Sequence, residues 1–400
     1  MRGMTIASRF LSLGVAAVTL AACTAGTATA PNSPSAGAPA RIVRSGRLQF
    51  QVYTAGETKG FLSTASAIDI AAGPNGTLWF TDGGTPAIGE ITSSGTITEY
   101  TAGLPGGAEP NAIAAGPDGN MWFSDYRGIV IGEITPSGTI TEYANTSYTD
   151  TKAEGIAFGP GGEPFIIGFG APPVLAGVTS QGTVAVQVLP KNLTPDGSLA
   201  DDASGNLWFA AANAQMRAQL YERPASGKHL LRLPMHMVSQ RVPCCPHQAA
   251  DPMTIGPGGV PWFTTTPYLH GSSPYLFLGV LQKKKVALLR LSFKGVTGSA
   301  YPSGIAGAQD AVWVTGSSPF KDTGALWRVA SRNHQTAYNL PYNPISVTVD
   351  ASGNPWFTAS SSGSPSQIVE VVSTASNQTS TSSQSQKPGP SRKAAKRRLT

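Results

Sequence analysis

Six polar side chains stand beside a recurring aromatic pair. Asp82 follows Trp79-Phe80, and Glu109, Asn111 and Asp125 flank Trp122-Phe123. Glu154 precedes Phe165-Ile166 and Asp251 precedes Trp262-Phe263. Oxygen ligands of this kind hold Mg²⁺ or Ca²⁺, or hydrogen-bond a sugar or peptide. Asp82 and Asp125 are the metal candidates, and both equally suit capping of the turn after a strand. Cysteine chemistry is confined to Cys23 and the adjacent Cys244-Cys245. Neighbouring cysteines cannot chelate zinc as a spaced pair does, and His236 and His247 complete no recognisable site. A vicinal disulfide, a link to another chain or plain thiols remain open.

The aromatic pair defines the elements that must carry these groups. Trp-Phe or a near variant recurs at residues 79, 122, 165, 208, 262, 313 and 356, in steps of 43, 43, 43, 54, 51 and 43. Seven units of about this length point to an all-β, seven-bladed propeller with four strands per blade. The first unit reads as strands 67–72, 77–81, 87–92 and 96–100, with Gly73-Pro74-Asn75-Gly76 as a type I turn. Leu78 and Phe80 fall on one face and Trp79 on the other, which suits a strand held between neighbouring sheets. The tryptophans are core.

The two ends of the array complement each other. Residues 45–56 repeat the fourth-strand pattern of 94–103 without a blade before them, and the last unit stops after a third strand at 367–372. Leu48–Tyr53 therefore completes blade 7, closing the ring and covering a sheet edge. The long steps mark insertions at 235–250 and 265–285, where function and tolerated drift look alike in one sequence. Lys283-Lys284-Lys285 reads as a solvated hairpin tip.

Composition narrows the partners. Only 12% of the 400 residues are charged, and the net charge of +6 belongs to residues 374–400, which hold Lys387, Arg392, Lys393, Lys396, Arg397 and Arg398 without an acid. The rest balances, so the propeller is not expected to bind nucleic acid. Residues 1–22 read as a secretory signal peptide ending Leu20-Ala21-Ala22-Cys23, which resembles the bacterial lipobox. That implies a lipid on Cys23 and a place in the bacterial envelope; the alternative is ordinary cleavage after Ala28 or Ala30. Residues 23–46 follow as a flexible tether, 47–372 as the propeller and 373–400 as a Ser/Thr/Gln-rich, basic tail. The tail suits anionic lipid or wall polymer, or has no dedicated partner.

The unit Ala-Ile-Ala-Ala-Gly-Pro-Asp-Gly-Asn-Met-Trp-Phe-Ser-Asp at 112–125, followed by Ile-Gly-Glu-Ile-Thr-Pro-Ser-Gly-Thr-Ile-Thr-Glu-Tyr at 131–143, resembles the virginiamycin B lyase family. The resemblance implies a Mg²⁺-dependent carbon–oxygen lyase that opens a cyclic depsipeptide by elimination. It also implies histidines eleven residues before the blade tryptophan and a glutamate three residues after it. At the first position this chain has Ile68, Asn111, Glu154, Gly197, Asp251, Ser303 (with a one-residue gap) and Ile345; at the second it has Asp82, Asp125, Gly168, Ala211, Thr265, Gly316 and Ala359. An amide such as Asn111 is no base near neutral pH. With the catalytic positions unmatched, the reading is a binding module for a small molecule, glycan or peptide at the channel mouth. Lyase activity with altered residues and a platform for envelope proteins are the alternatives.

Overall fold

A computed structural model describes residues 40–45, 48–148, 150–212, 218–227, 229–233, 252–265, 276–282, 285–292, 301–318, 323–331, 333–361 and 363–372. Seven antiparallel sheets follow one another along the chain. Their inner strands are Ala67–Ala72, Pro110–Ala115, Thr151–Phe158, Thr194–Asp201, Met253–Gly256, Tyr301–Gly307 and Pro344–Val349. Together these strands surround a central channel. The second strands carry the Trp-Phe pairs, and Phe80, Phe123, Phe209, Phe263 and Phe357 are completely buried. Among the blade tryptophans, Trp313 alone is only partly buried.

Glycine makes room for this packing. A Cβ on Gly89 or Gly132, in the third strands, would collide with the ring of Phe80 or Phe123. The indole edges are anchored too. Trp122, Trp208 and Trp356 donate Nε1–H to Asp118, Asp202 and Asp350 in the preceding turn, which satisfies a buried donor.

The ring closes as the two incomplete ends require. Leu48–Thr54 pairs antiparallel with Ser364–Val372, from Gln49 opposite Val372 to Thr54 opposite Gln367. Tyr53 stacks on Trp356 with centroids 5.7 Å apart, as Tyr100 stacks on Trp79 at 5.8 Å. Two details differ from the sequence reading. Arg41–Ser45, assigned to the tether, adds a fifth strand outside Leu48–Thr54. In blade 1 the turn slips by one residue: Asn75 (φ 57°) and Gly76 (φ 74°) both take the left-handed region, and the Thr77 N–H donates to the Pro74 carbonyl. Asn-Gly favours that mirror-image turn because its twist matches the flanking strands. Blade 2 has Asp118 instead of Asn75, and there the turn closes as expected, from the Gly119 N–H to the Gly116 carbonyl.

Adjacent blades are joined by a repeated hydroxyl. The inner strands of blades 1, 2 and 7 break register, and a bulge leaves backbone groups unpaired. Thr81, Ser124 and Thr358 accept the freed N–H of Asp69, Ala112 and Ser346. Each hydroxyl then donates across to the neighbouring inner strand, at the carbonyls of Asn111, Glu154 and Ile68.

Closure makes a measurable distinction. Phe50 is fully buried in the closing strand, edge-on to Tyr342, whereas Ile42 in the outermost strand is 50% exposed. Phe50→Ala is expected to lower unfolding free energy by about 3–5 kcal/mol. Ile42→Ser should change it by less than about 0.5 kcal/mol. Denaturant melts of both variants check this.

Candidate functional site in the central channel

The axial channel has a volume of about 910 Å³ and is walled by inner-strand residues of all seven blades. Most of the wall is Ala, Gly, Ile, Ser and Thr, so its few acids stand out. Asp69 accepts the N–H groups of Ile70 and of Ile113 in blade 2, and the Ser346 hydroxyl of blade 7. It is a pin between three blades, and burial raises its pKa against those bonds. Asp201 likewise accepts the Phe158 N–H of blade 3. Both acids are committed to structure.

Glu154 is different. It lines the channel on the inner strand of blade 3, and burial pushes its carboxyl up to about 7. Its carboxylate lies against Gly197 of blade 4, whose φ of +89° and lack of a Cβ leave space for Oε2. Tyr126, at the end of the second strand of blade 2, has its phenol pKa raised by burial and then by the charges of Glu154 and Glu109. The Lys152 ammonium sits 5.6 Å from the centre of the Tyr126 ring, and Phe169 lies beside that ring at 5.9 Å. Blades 2 and 3 thus bring a cluster of one ammonium and two aromatic rings within electrostatic reach of a carboxylate on the channel wall.

The remaining predicted residues are sorted by their bonds. Asn111 lines the channel beside Glu154. Glu109 is exposed, and its N–H donates to Asp125 Oδ2. Asp125 is fully buried and also binds the Arg127 N–H and Nε at 2.9 Å each. Asp82 is fully buried and accepts from the N–H groups of Ser66 and Gly84. Both aspartates are therefore turn caps. Asp251, Cys23, Cys244 and Cys245 lie outside the described residues, as do His236, His247 and His270. His229 and His334 are exposed and do not line the channel.

The profile of the virginiamycin B lyase family matches residues 42–235, just under half of the chain. Over that span the chain is similar to this family. No curated protein matches it by sequence. Among solved structures, a catalytically inactive variant of virginiamycin B lyase from Staphylococcus aureus, crystallised with quinupristin, is similar at 19% identity and a TM-score of 0.62. The match covers 81% of this chain and 99% of that one. A hydrazine synthase from Kuenenia stuttgartiensis is similar at 11% identity and a TM-score of 0.56, over 73% and 92% of the two chains. YCF48 bound to a D1 peptide is similar at 12% and 0.56, over 84% and 98%. These likenesses establish the shared fold.

Against the family pattern, the structure brings together Asn111 and Glu154 at two of the positions where the resemblance calls for a histidine. The Mg²⁺ that the family implies does not fit Asp125, whose two oxygens are taken by Arg127 and the Glu109 amide. No group of three or more His, Cys, Asp or Glu among the described residues is arranged to hold a metal. Tyr126, Lys152 and Phe169 escaped the sequence reading. The available signal was an aromatic residue after the strand-ending acid of blade 2, where blade 1 has Gly83.

The raised carboxyl has a pH consequence. A glutamate whose folded pKa exceeds its unfolded value stabilises the fold at low pH, and that contribution is lost as pH rises towards the folded value. For Glu154 the window runs from about pH 4.5 to about 7. Glu154→Gln should therefore flatten the fall in melting temperature between pH 5 and 8 relative to the parent, as read by calorimetry. An unchanged slope would show that this carboxyl titrates normally.

Proposed function

We propose that this protein is an extracytoplasmic binding propeller, tethered by lipid on Cys23, that takes a small polar, glycan or peptide ligand at the channel mouth between blades 2 and 3. The grouping of Glu154, Tyr126, Lys152 and Phe169 carries the reading. A carboxyl that titrates near neutrality can accept or donate a hydrogen bond, the ammonium adds a charged donor, and the rings offer apolar faces. A concave channel of small apolar and hydroxyl residues with a few convergent charged groups suits ligand recognition. The basic tail would strengthen attachment to an anionic envelope surface.

One observation favours a second reading, a carbon–oxygen lyase opening a cyclic depsipeptide of the streptogramin B type. Glu154 occupies a family base position with a carboxyl pushed up to about 7, and a base near the working pH is well placed to take a proton next to a carbonyl. The binding reading is preferred because the histidine and glutamate positions that the resemblance implies are otherwise filled by residues such as Asn111, Gly197, Gly168 and Ala211.

Two measurements separate these readings. A thermal-shift panel of short peptides and oligosaccharides is expected to yield at least one stabilising ligand, with Tyr126→Ala and Glu154→Gln each reducing its affinity about tenfold or more, the scale of one lost charged hydrogen bond. Quinupristin incubated with the protein, with and without Mg²⁺, should stay cyclic on chromatography. A linear product that disappears in Glu154→Gln would put the lyase reading first. A panel without any shift would remove the binding reading.

A further inference from the structure

Blade 1 holds a second carboxylate pair, apart from the channel. Asp82 ends the second strand and Glu99 lies on the fourth, in the row of Phe80 and Gly89. Asp82 is fully buried, and its Oδ1 receives the Ser66 and Gly84 N–H groups at 2.6 and 2.8 Å. Asp82 Oδ2 and both Glu99 oxygens are also buried and make no hydrogen bond of normal geometry among the described residues; the Leu62 amide near Glu99 and the Thr85 amide near Asp82 only ease their charges. The two carboxylates are close enough for Asp82 to act electrostatically on Glu99. Three buried carboxylate oxygens with so little donor support are costly unless a positive charge meets them.

The repeat provides an internal control. Blade 2 places Asp125 and Glu142 in the positions of Asp82 and Glu99, and there a guanidinium lies between them. Arg127 donates Nε to Asp125 Oδ1 at 2.9 Å and Nη2 to Glu142 Oε2 at 2.9 Å. Where blade 2 has Arg127, blade 1 has Gly84. A Cβ on Gly84 would run into the Thr64 carbonyl, so no side chain can enter from that position. The acid pair is thus present in both blades, and among the described residues a cation bridges it in blade 2 alone.

We propose that Asp82 and Glu99 bind one divalent cation, Ca²⁺ in preference to Mg²⁺, which does in blade 1 what Arg127 does in blade 2. Two carboxylates balance its charge, and their free oxygens are the hard ligands it takes. Ca²⁺ accepts irregular coordination completed by backbone carbonyls and water, whereas Mg²⁺ demands near-octahedral geometry and gives up its waters reluctantly. The ion is structural. It ties the segment around Ser66, which Asp82 already grips, to the outer strand carrying Glu99. This site is independent of the channel ligand.

The test starts from EGTA-treated protein. Adding CaCl₂ to ~100 times its Kd should raise the melting temperature by several degrees. Tb³⁺, followed by equilibrium dialysis, should bind once per chain and be displaced by Ca²⁺ more readily than by Mg²⁺. Glu99→Gln should lose both responses and, in EGTA, melt no lower than the parent, because it removes an uncompensated charge. Glu142→Gln in blade 2 should keep both. The proposal fails if Ca²⁺ leaves the parent's melting temperature unchanged, if Mg²⁺ acts equally well, or if Glu99→Gln retains the responses. Should Glu99→Gln not fold, Tb³⁺ stoichiometry and competition on the parent decide.

Discussion

A buried hydroxyl that satisfies two backbone groups at once governs how the blades of this propeller meet. The inner strands bulge in blades 1, 2 and 7, and each bulge would leave an amide without its ladder partner. Thr81, Ser124 and Thr358 accept that amide and pass their own proton to a carbonyl of the next blade. One small side chain thereby converts a local fault in a strand into a joint between sheets. The carbonyls it holds include those of Asn111 and Glu154, so the joint also sets the position of the channel site.

Charge is scarce in this chain, and most of the acids described are bound to something specific. Asp118, Asp202 and Asp350 receive indole N–H groups, Asp69 and Asp201 receive backbone amides of adjacent blades, and Asp125 receives Arg127. Against this background Glu154 and Glu99 are exceptions, raised to about 7 and about 8 by burial. The Asp82 charge adds to the effect at Glu99, and the Leu62 amide relieves it only partly. A fold that satisfies its buried acids elsewhere leaves these two where a ligand or ion would meet them. Blade 5 shows the contrasting case of a merely degraded repeat. Its Gly256-Pro257-Gly258-Gly259 turn has no aspartate, and the Trp262 indole N–H has no partner among the described residues.

Much of the architecture was legible because it is written seven times. The Trp-Phe spacing marks the blades, and the shared pattern of residues 45–56 and 94–103 identifies the closing strand, whose Tyr53 the fold then stacks on Trp356. The turn of blade 1 was misjudged because Asn75 accepts a left-handed backbone that Asp118 does not adopt in blade 2. The strand at Arg41–Ser45 carries no repeat signal because it lies beyond the repeat and pairs through backbone groups, with three of its five residues exposed. Among the site residues, Asn111 and Glu154 followed from their place in the repeat. Lys152, Tyr126 and Phe169 belong to two different blades and meet only across the joint between them.

The sequence by itself therefore determined the number of blades, their order and the way the ring shuts, since each follows from a periodic pattern of side chains along one strand. Tertiary structure alone decided which acids are used up and which are left. Asp82 and Asp125 look equivalent in the chain, and both cap turns. Only the folded blade reveals that Arg127 neutralises one pair while Gly84, pressed against the Thr64 carbonyl, leaves the other without an ion-pair partner among the described residues. That difference depends on contacts between segments distant in sequence, and on the cost of burying a charge with nothing opposite to it.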